Sequence, residues 1–410
     1  MARLHVAVLD EEFPFPLNSG KRLRSFHLVT RLARDFRITY VAHANPDAEE
    51  LRLATDALRQ AGVTVVPVDY RIPPKEGLGF YARLVVNLAS RLPYSVATHT
   101  SAAMRAAMDR LVATDPPDLW HCEWTPYAQA MANRPGRWVV MAHNVESLIW
   151  QRYTETERNP LKRWFLRRQW RRFERFEAWA YSAATRAVAV SPEDAALMRD
   201  RFGAPAPAVV ENGVDTAAFR PDPHTPHDPA RILFLGSLDW RPNQDGVRVL
   251  IDDVFPRVKQ AEPTARVMVV GRKPPAWLKE LANQPGVELH ADVPDVRPFL
   301  HQSGVLAVPL RVGGGSRLKI LEALATGLPV VTTTVGVEGL RLSGGEHCAV
   351  ADTAEAFAAA LTESIRRPAA AAEMAARGRH RVVSEYDWAG LATKLGAVWR
   401  AAVSGTPPPI

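Results

Sequence analysis

The chain has 410 residues, 47% of them hydrophobic and 23% charged, with a net charge of +7. Those proportions are ordinary for a globular protein with full cores and predict two or three domains. Cys122 and Cys348 match no metal-ligand spacing, MARLHVAVLDEE reads as a strand rather than a signal peptide, and no run reaches the ~20 apolar residues of a spanning helix. Metal clusters and membrane spans are thus excluded, and a cytoplasmic setting is expected.

Strands and helices alternate in two series. The first takes His5–Leu9, Ile38–Ala42, Thr64–Val68, Asp118–Cys122, Trp138–Ala142, Ala187–Val190 and Ala208–Glu211 as strands. The second takes Ile232–Leu235, Val267–Val270, Val287–His290, Val305–Val308, Val330–Thr332 and Ala349–Val350. Short apolar strands separated by helices predict an α/β protein with two doubly wound parallel sheets. Between the series, 212–229 carries four prolines and no apolar period and reads as an interdomain linker. Ligands of such sheets bind beyond the carboxyl ends of the strands, which makes the loops there the candidate site.

Three such loops stand out in the first half. After the first strand, a Pro-rich turn ends in Asn18-Ser19-Gly20, where backbone N–H groups can approach a phosphate; the alternative is a βα turn that needs Gly20 for a positive φ. Arg22 and Arg24 read as solvated cations. In WHCEWTPYA, the carboxylate Glu123 beside His121 and Trp124 suits an acceptor, as half-buried packing does equally. In MAHNVES, His143 directly follows a strand, where it can donate a hydrogen bond to a transferred group. Asn144 reads as a helix cap and Glu146 as an acceptor candidate.

Asn159–Trp179 packs Lys162, Arg163, Arg167, Arg168, Arg171, Arg172 and Arg175 among Trp164, Phe165, Trp170, Phe173, Phe176 and Trp179, a basic amphipathic helix. Two readings compete: the aromatic stripe is core, which is preferred because Glu174 and Glu177 dilute the charge, or the helix rests peripherally on the inner face of a membrane. No basic patch or nucleic-acid motif accompanies it, so no nucleic acid is expected as a partner.

The richest stretch is RVGGGSRLKILEALATGLPVVT, 311–332. Gly313, Gly314 and Gly315 form a loop into a helix expected to start near Ser316, where N–H groups and the dipole favour an anion. Arg317 and Lys319 are unfavourable at a helix start unless a pyrophosphate lies there, and Glu322 is spaced to reach ribose hydroxyls. The alternative is a solvated helix face.

LEALATGLPVV resembles the LEAMAxGxPVV signature of the retaining glycosyltransferases of family four. The resemblance implies the GT-B fold, two facing Rossmann-like domains with an interdomain cleft: 1–211 plus 387–410 on the acceptor side, linker 212–229, and 230–386 binding the nucleotide sugar. Family members carry Glu-x₇-Glu, whose second Glu binds the donor ribose; Glu322 matches it, while the first position falls on Gly314. The chain is similar instead to the branch that reads GxGxRxKxLEA, through Gly313, Gly315, Arg317, Lys319 and Glu322, with Leu318 between the cations. The family's diphosphate-binding Gly-Arg pair falls on Gly236 and Ser237, so the resemblance moves that role to Arg317 and Lys319. VELHADVPDVRPFL resembles the family's base-contacting segment and places His290, Asp292 and Val293 by the base. The family has a His at the place of His143 that bonds the transferred sugar, and a glycine loop at the place of Gly20.

The resemblance implies a retaining hexosyltransferase. Its partners are a nucleotide diphosphate sugar as donor and a glycan, lipid-linked or small-molecule acceptor. It has no cofactor, and no metal is expected because the chain contains no Asp-x-Asp triplet. Rival readings are a sugar-nucleotide epimerase of the same fold and a non-catalytic sugar-nucleotide-binding protein.

Overall fold

The computed structural model describes residues 3–281, 284–312 and 317–405. The chain divides into two compact units, Met1–Glu211 with Leu391–Ile410, and Asn212–Gly390.

The first unit holds a seven-stranded sheet in the order β3-β2-β1-β4-β5-β6-β7, with all pairs parallel. Its strands are β1 His5–Asp10, β2 Arg37–His43, β3 Thr64–Val68, β4 Leu119–Cys122, β5 Trp138–Ala142, β6 Arg186–Ala189 and β7 Ala208–Val209. All six residues of β1 are buried, as a central strand covered by helices on both faces requires. Strand order reverses between β1 and β4, so the loops after Asp10 and Cys122 open at a topological switch point.

The second unit holds six parallel strands in the order β10-β9-β8-β11-β12-β13. They are β8 Asp228–Leu235, β9 Arg266–Gly271, β10 Val287–Ala291, β11 Ser303–Val308, β12 Val330–Thr332 and β13 Ala349–Val350. Here the switch point lies between β8 and β11. It gathers the loop at Gly236 and the segment leading to the helix Leu318–Ala325. Every strand expected from the apolar runs is present, and the fold is two Rossmann-like α/β domains.

The stretch 212–229 is tied into the second unit. Val214 bridges Asp387, the Thr216 hydroxyl donates to Asp387 at 2.6 Å, and His301 Nε2 bonds the Arg220 carbonyl at 2.9 Å. In the first unit the longest helix is Pro160–Ala183, started by Asn159, whose side chain accepts from the N–H groups of Leu161 and Lys162. No helix among the described residues is long and apolar enough to cross a membrane.

Candidate functional site

At the carboxyl edge of the second sheet, β8 ends in Gly236-Ser237. A Cβ on Gly236 would stand 2.7 Å from both Lys319 Nζ and Asn243 Nδ2, so only glycine lets that ammonium lie against the backbone. Lys319 donates to Asn243 Oδ1 at 2.8 Å and sits 5.0 Å above the Phe234 ring. Asn243 in turn donates to the Ser237 carbonyl at 2.8 Å. The helix begins at Leu318, two residues beyond the expected start at Ser316, with Leu318 itself packed on the core. Gly313, Gly314, Gly315 and Ser316 lie outside the described residues.

Burial, with repulsion from Arg317, lowers the Lys319 pKa to about 7, against an opposing pull from Glu322. Glu322, one turn further on, is pushed up to about 7 by burial, opposed by Lys319. Both charges are desolvated at one sheet edge. The Arg317 guanidinium is buried; it donates to the Val335 carbonyl at 2.7 Å and lies 3.7 Å from Glu338, and burial lowers its pKa.

Ser237 is not a bare turn residue. Its hydroxyl accepts from Arg272 Nε at 2.8 Å and donates to Asp239 at 2.6 Å. Arg272 brings a further cation to this edge that the sequence reading passed over, although its place in GRK directly after β9 was a readable signal. Asp292 adopts φ +52° and accepts the Lys273 N–H at 2.8 Å, while its own N–H bonds the Gly271 carbonyl at 3.0 Å. His290 packs on Phe299 with ring centroids 4.9 Å apart, and Val293 packs on the core of the unit.

The first unit's edge is built differently. The Lys21 ammonium lies 2.6 Å from Asp10, 3.1 Å from Glu11 and 5.6 Å from the Trp124 ring centroid. Burial raises Asp10 to about 7, although Lys21 pulls it down. His99 Nε2 lies 3.4 Å from Glu11, and its ring meets Trp124 edge-on. Trp124 donates to Glu146 at 2.9 Å, so these two acceptor candidates are brought together, and burial raises the Glu146 pKa.

Behind them runs a buried chain of bonds. Trp399 Nε1 donates to His121 Nδ1 at 3.1 Å, which leaves the His121 proton on Nε2 to donate to Glu123 at 2.7 Å. The other Glu123 oxygen accepts from Ser25 at 2.8 Å and lies 3.4 Å from His143 Nε2. Burial would raise Glu123, but the hydrogen bonds from His121 and His143 hold its carboxyl well below the usual range. Burial lowers the His143 pKa, partly offset by Glu123.

Several expectations are corrected by these contacts. His121 and Glu123, read as lying at an acceptor, are buried and bonded to one another, and Glu123 lies beside His143. Gly20 is the first residue of the helix Gly20–Leu32 behind the cap Ser19 and has no positive φ. Arg24 is not solvated: it is buried and bonds the carbonyls of Glu211 at 2.6 Å and Val210 at 2.8 Å. Asn144 does not cap the next helix. The buried carboxylate of Glu177 does so, accepting the N–H groups of Glu146 at 2.7 Å and Ser147 at 3.1 Å, and burial raises its pKa to about 7. Along the aromatic stripe of the basic helix Phe173 and Phe176 are core and Phe165, Trp170 and Trp179 half-buried, while Trp164, outside the stripe, is exposed.

Family models match along the chain, "Glycosyltransferase Family 4" over residues 24–218 and "Glycosyl transferases group 1" over 229–367. The chain belongs to the group 1, family-four type of GT-B glycosyltransferase. Among characterised relatives of these glycosyltransferases, glycogen synthase of Mycobacterium tuberculosis (strain CDC 1551 / Oshkosh) is 30% identical over 208 residues, 48% of this chain and 49% of the relative. A GDP-mannose-dependent alpha-(1-6)-phosphatidylinositol monomannoside mannosyltransferase of Mycolicibacterium smegmatis (strain ATCC 700084 / mc(2)155) is 28% identical over 200 residues, 43% of this chain and 51% of the relative. The chain thus spans about half the length of the curated relatives it matches. Similar solved folds include sucrose-phosphate synthase from Thermosynechococcus elongatus, with TM-score 0.72 and 17% identity over 98% of this chain and 100% of that one. HepE of Anabaena, solved in complex with UDP and glucose, gives TM-score 0.66 and 14% identity over 97% of this chain and 100% of that one.

Proposed function

We propose that this glycosyltransferase moves a glycosyl unit from a nucleotide diphosphate sugar to an acceptor hydroxyl, with retention at the anomeric carbon and without a metal. The bond from the anomeric carbon to the diphosphate oxygen breaks with its electron pair leaving on the diphosphate. The bond to the acceptor oxygen forms, and the acceptor proton passes to the departing diphosphate. Negative charge grows on the leaving group, so cations set in a desolvated place are what the reaction needs.

The observation that carries this reading is the Lys319 ammonium, held against Gly236 by Asn243, beside Arg317 and one turn from Glu322. In this reading Lys319 and Arg317 receive the diphosphate, together with the segment 313–316 and the Gly236-Ser237 turn, and Glu322 takes the ribose hydroxyls. His290, Asp292 and Val293 lie toward the base, and Gly20 toward a phosphate. His143 bonds the transferred sugar, with Glu123 setting its ring; Trp124 and Glu146 meet the acceptor. That HepE was solved with UDP and glucose supports a nucleotide-sugar donor. Metal independence rests on the absence of an Asp-x-Asp triplet and on the two cations standing where a divalent ion would otherwise neutralise charge.

Incubation with a panel of nucleotide sugars, with and without acceptors and with and without a chelator, tests the whole reading. Free nucleotide diphosphate and a glycosylated acceptor with the donor's anomeric configuration are expected, unchanged by the chelator. An epimerised but intact donor would replace this reading by an isomerase, and binding without turnover by a non-catalytic protein.

A further inference from the structure

The helix Gly77–Leu88, GLGFYARLVVNL, turns an unusual face to solvent. Leu78 is 89% exposed, Val86 74%, Val85 66% and Tyr81 64%. At 100° per residue these positions and Ala82 fall within one side of the helix, so the outward face is wholly apolar. The helix contains no acid, and its one charged residue is Arg83. Single exposed apolar residues are common on proteins, but a contiguous face of this kind marks a contact surface.

Its surroundings indicate what covers it. The last carbonyls of this helix are bonded by two guanidiniums of Pro160–Ala183: Arg168 to Leu88 at 2.7 Å, and Arg172 to Asn87 at 2.9 Å and Leu88 at 2.9 Å. Gln169 adds a bond to the Asn87 side chain at 3.1 Å. The apolar helix and the basic helix are therefore locked together. The amino-terminal half of the basic helix, 160–173, has six cations and no acid. Lys162, Arg163, Arg167 and Arg171 are exposed there, as are Leu161 at 79% and Trp164 at 55%. Acids flank the two helices at their amino ends, Glu76 and Glu157, so apolar side chains in a mainly basic setting suit an anionic, apolar-backed occupant. A second copy of this chain fits poorly, because a two-fold contact would set two surfaces of like charge against each other.

We propose that the helix Gly77–Leu88 and the 160–171 half of the basic helix form a docking surface for an anionic lipid bilayer. Leu78, Tyr81, Val85, Val86, Leu161 and Trp164 enter the boundary between headgroups and acyl chains, while Lys162, Arg163, Arg167 and Arg171 meet the headgroups. The carboxyl half of the basic helix stays in the core through Phe173 and Phe176. This inference is independent of the reaction proposed above.

The test is flotation of the full chain with vesicles of phosphatidylglycerol and phosphatidylcholine, and with pure phosphatidylcholine, at low and physiological salt. Binding to the acidic vesicles alone, weakened by salt, is expected. The variant R163Q/R167Q/R171Q should lose about a hundredfold in partitioning, each surface cation contributing roughly a fivefold factor. Arg168 and Arg172 are kept because they hold the apolar helix. L78Q/V85Q/V86Q, whose residues are already exposed and whose folding is checked by thermal melting, should lose binding at least as strongly. Failure of the wild-type chain to float with acidic vesicles would overturn the proposal. So would binding unaffected by the apolar variant, or a wild-type dimer that L78Q/V85Q/V86Q dissolves in the absence of lipid.

Discussion

If Lys319 meets the diphosphate, binding a nucleoside diphosphate must change its protonation. In the free protein its pKa of about 7 leaves it ~3% protonated at pH 8.5. A diphosphate beside it removes the desolvation penalty's advantage for the neutral amine and restores an ordinary lysine value near ~10.4, at which it is ~99% protonated. Binding at pH 8.5 should therefore take up close to one proton, at a cost of ~2 kcal/mol in apparent affinity relative to pH 7. The sign follows from linkage: the bound state holds more protons, so affinity falls as pH rises above about 7, by nearly tenfold per pH unit until the bound lysine itself titrates. The nucleotide's own phosphates, with a second pKa near ~6, are fully ionised at pH 8.5 and contribute nothing.

The assay is calorimetry of UDP, ADP and GDP binding at pH 8.5 in buffers of different ionisation enthalpy, where the slope of the observed heat against that enthalpy counts protons. Lys319→Met should bind more weakly, with the slope gone. A wild-type slope near zero, or an unchanged slope in Lys319→Met, would refute the placement of this ammonium against the diphosphate.

Three further outcomes follow from single contacts. Glu322→Gln should weaken nucleotide binding by ~1.5–3 kcal/mol with an unchanged melting curve, and equal affinity in calorimetry would remove Glu322 from the ribose. Glu123→Gln takes away the charge that opposes burial at His143, so the His143 pKa should drop further in an NMR titration while the protein loses roughly 1–3 kcal/mol of stability; an upward shift would contradict the contact. Gly271→Ala places a Cβ 1.9 Å from the Gly236 carbonyl, so it should disturb the Gly236 turn and lower nucleotide affinity even where the protein still folds, and wild-type affinity would show that the turn is not rigid.

The strands and the two-sheet architecture were legible because they rest on a local signal: β1, β5 and β11 are short apolar runs that only a sheet covered on both faces can use. That Lys319 and Glu322 share a helix turn was legible for the same reason, since spacing on one helix fixes which side chains are neighbours. What escaped depends on distance along the chain. Trp399 and His121 are 278 residues apart, and Arg24 meets the Glu211 carbonyl across 187, so neither partner has any local trace. Asn144 has the residue type and position of a cap, yet the cap is Glu177, which arrives from another helix. The aromatic residues of 159–179 recur mostly at three-residue steps, and periodicity does not tell where along the helix the core begins. Here it begins only after Trp164.

Depth, more than chemistry, separates the supporting groups from the reactive ones. Mid-sheet polar groups have their bonding completed inside the protein: His5 Nε2 pairs with Thr39 at 2.8 Å, and His121 uses both ring nitrogens on Trp399 and Glu123. At the carboxyl edges burial instead moves the charges themselves toward neutrality. Asp10, Glu322 and Lys319 all sit near 7, with burial as the largest cause in each. For Asp10 and Glu322 the folded state binds protons more tightly than the unfolded chain, so stability falls as pH rises between about 4 and 7; for Lys319 it binds them less tightly, so stability rises from about 7 toward 10. In the reading proposed above, the groups left desolvated and close to neutrality at these two edges receive a charge that arrives from outside, and in the second unit the cations and their glycine clearance suit an anion as that charge.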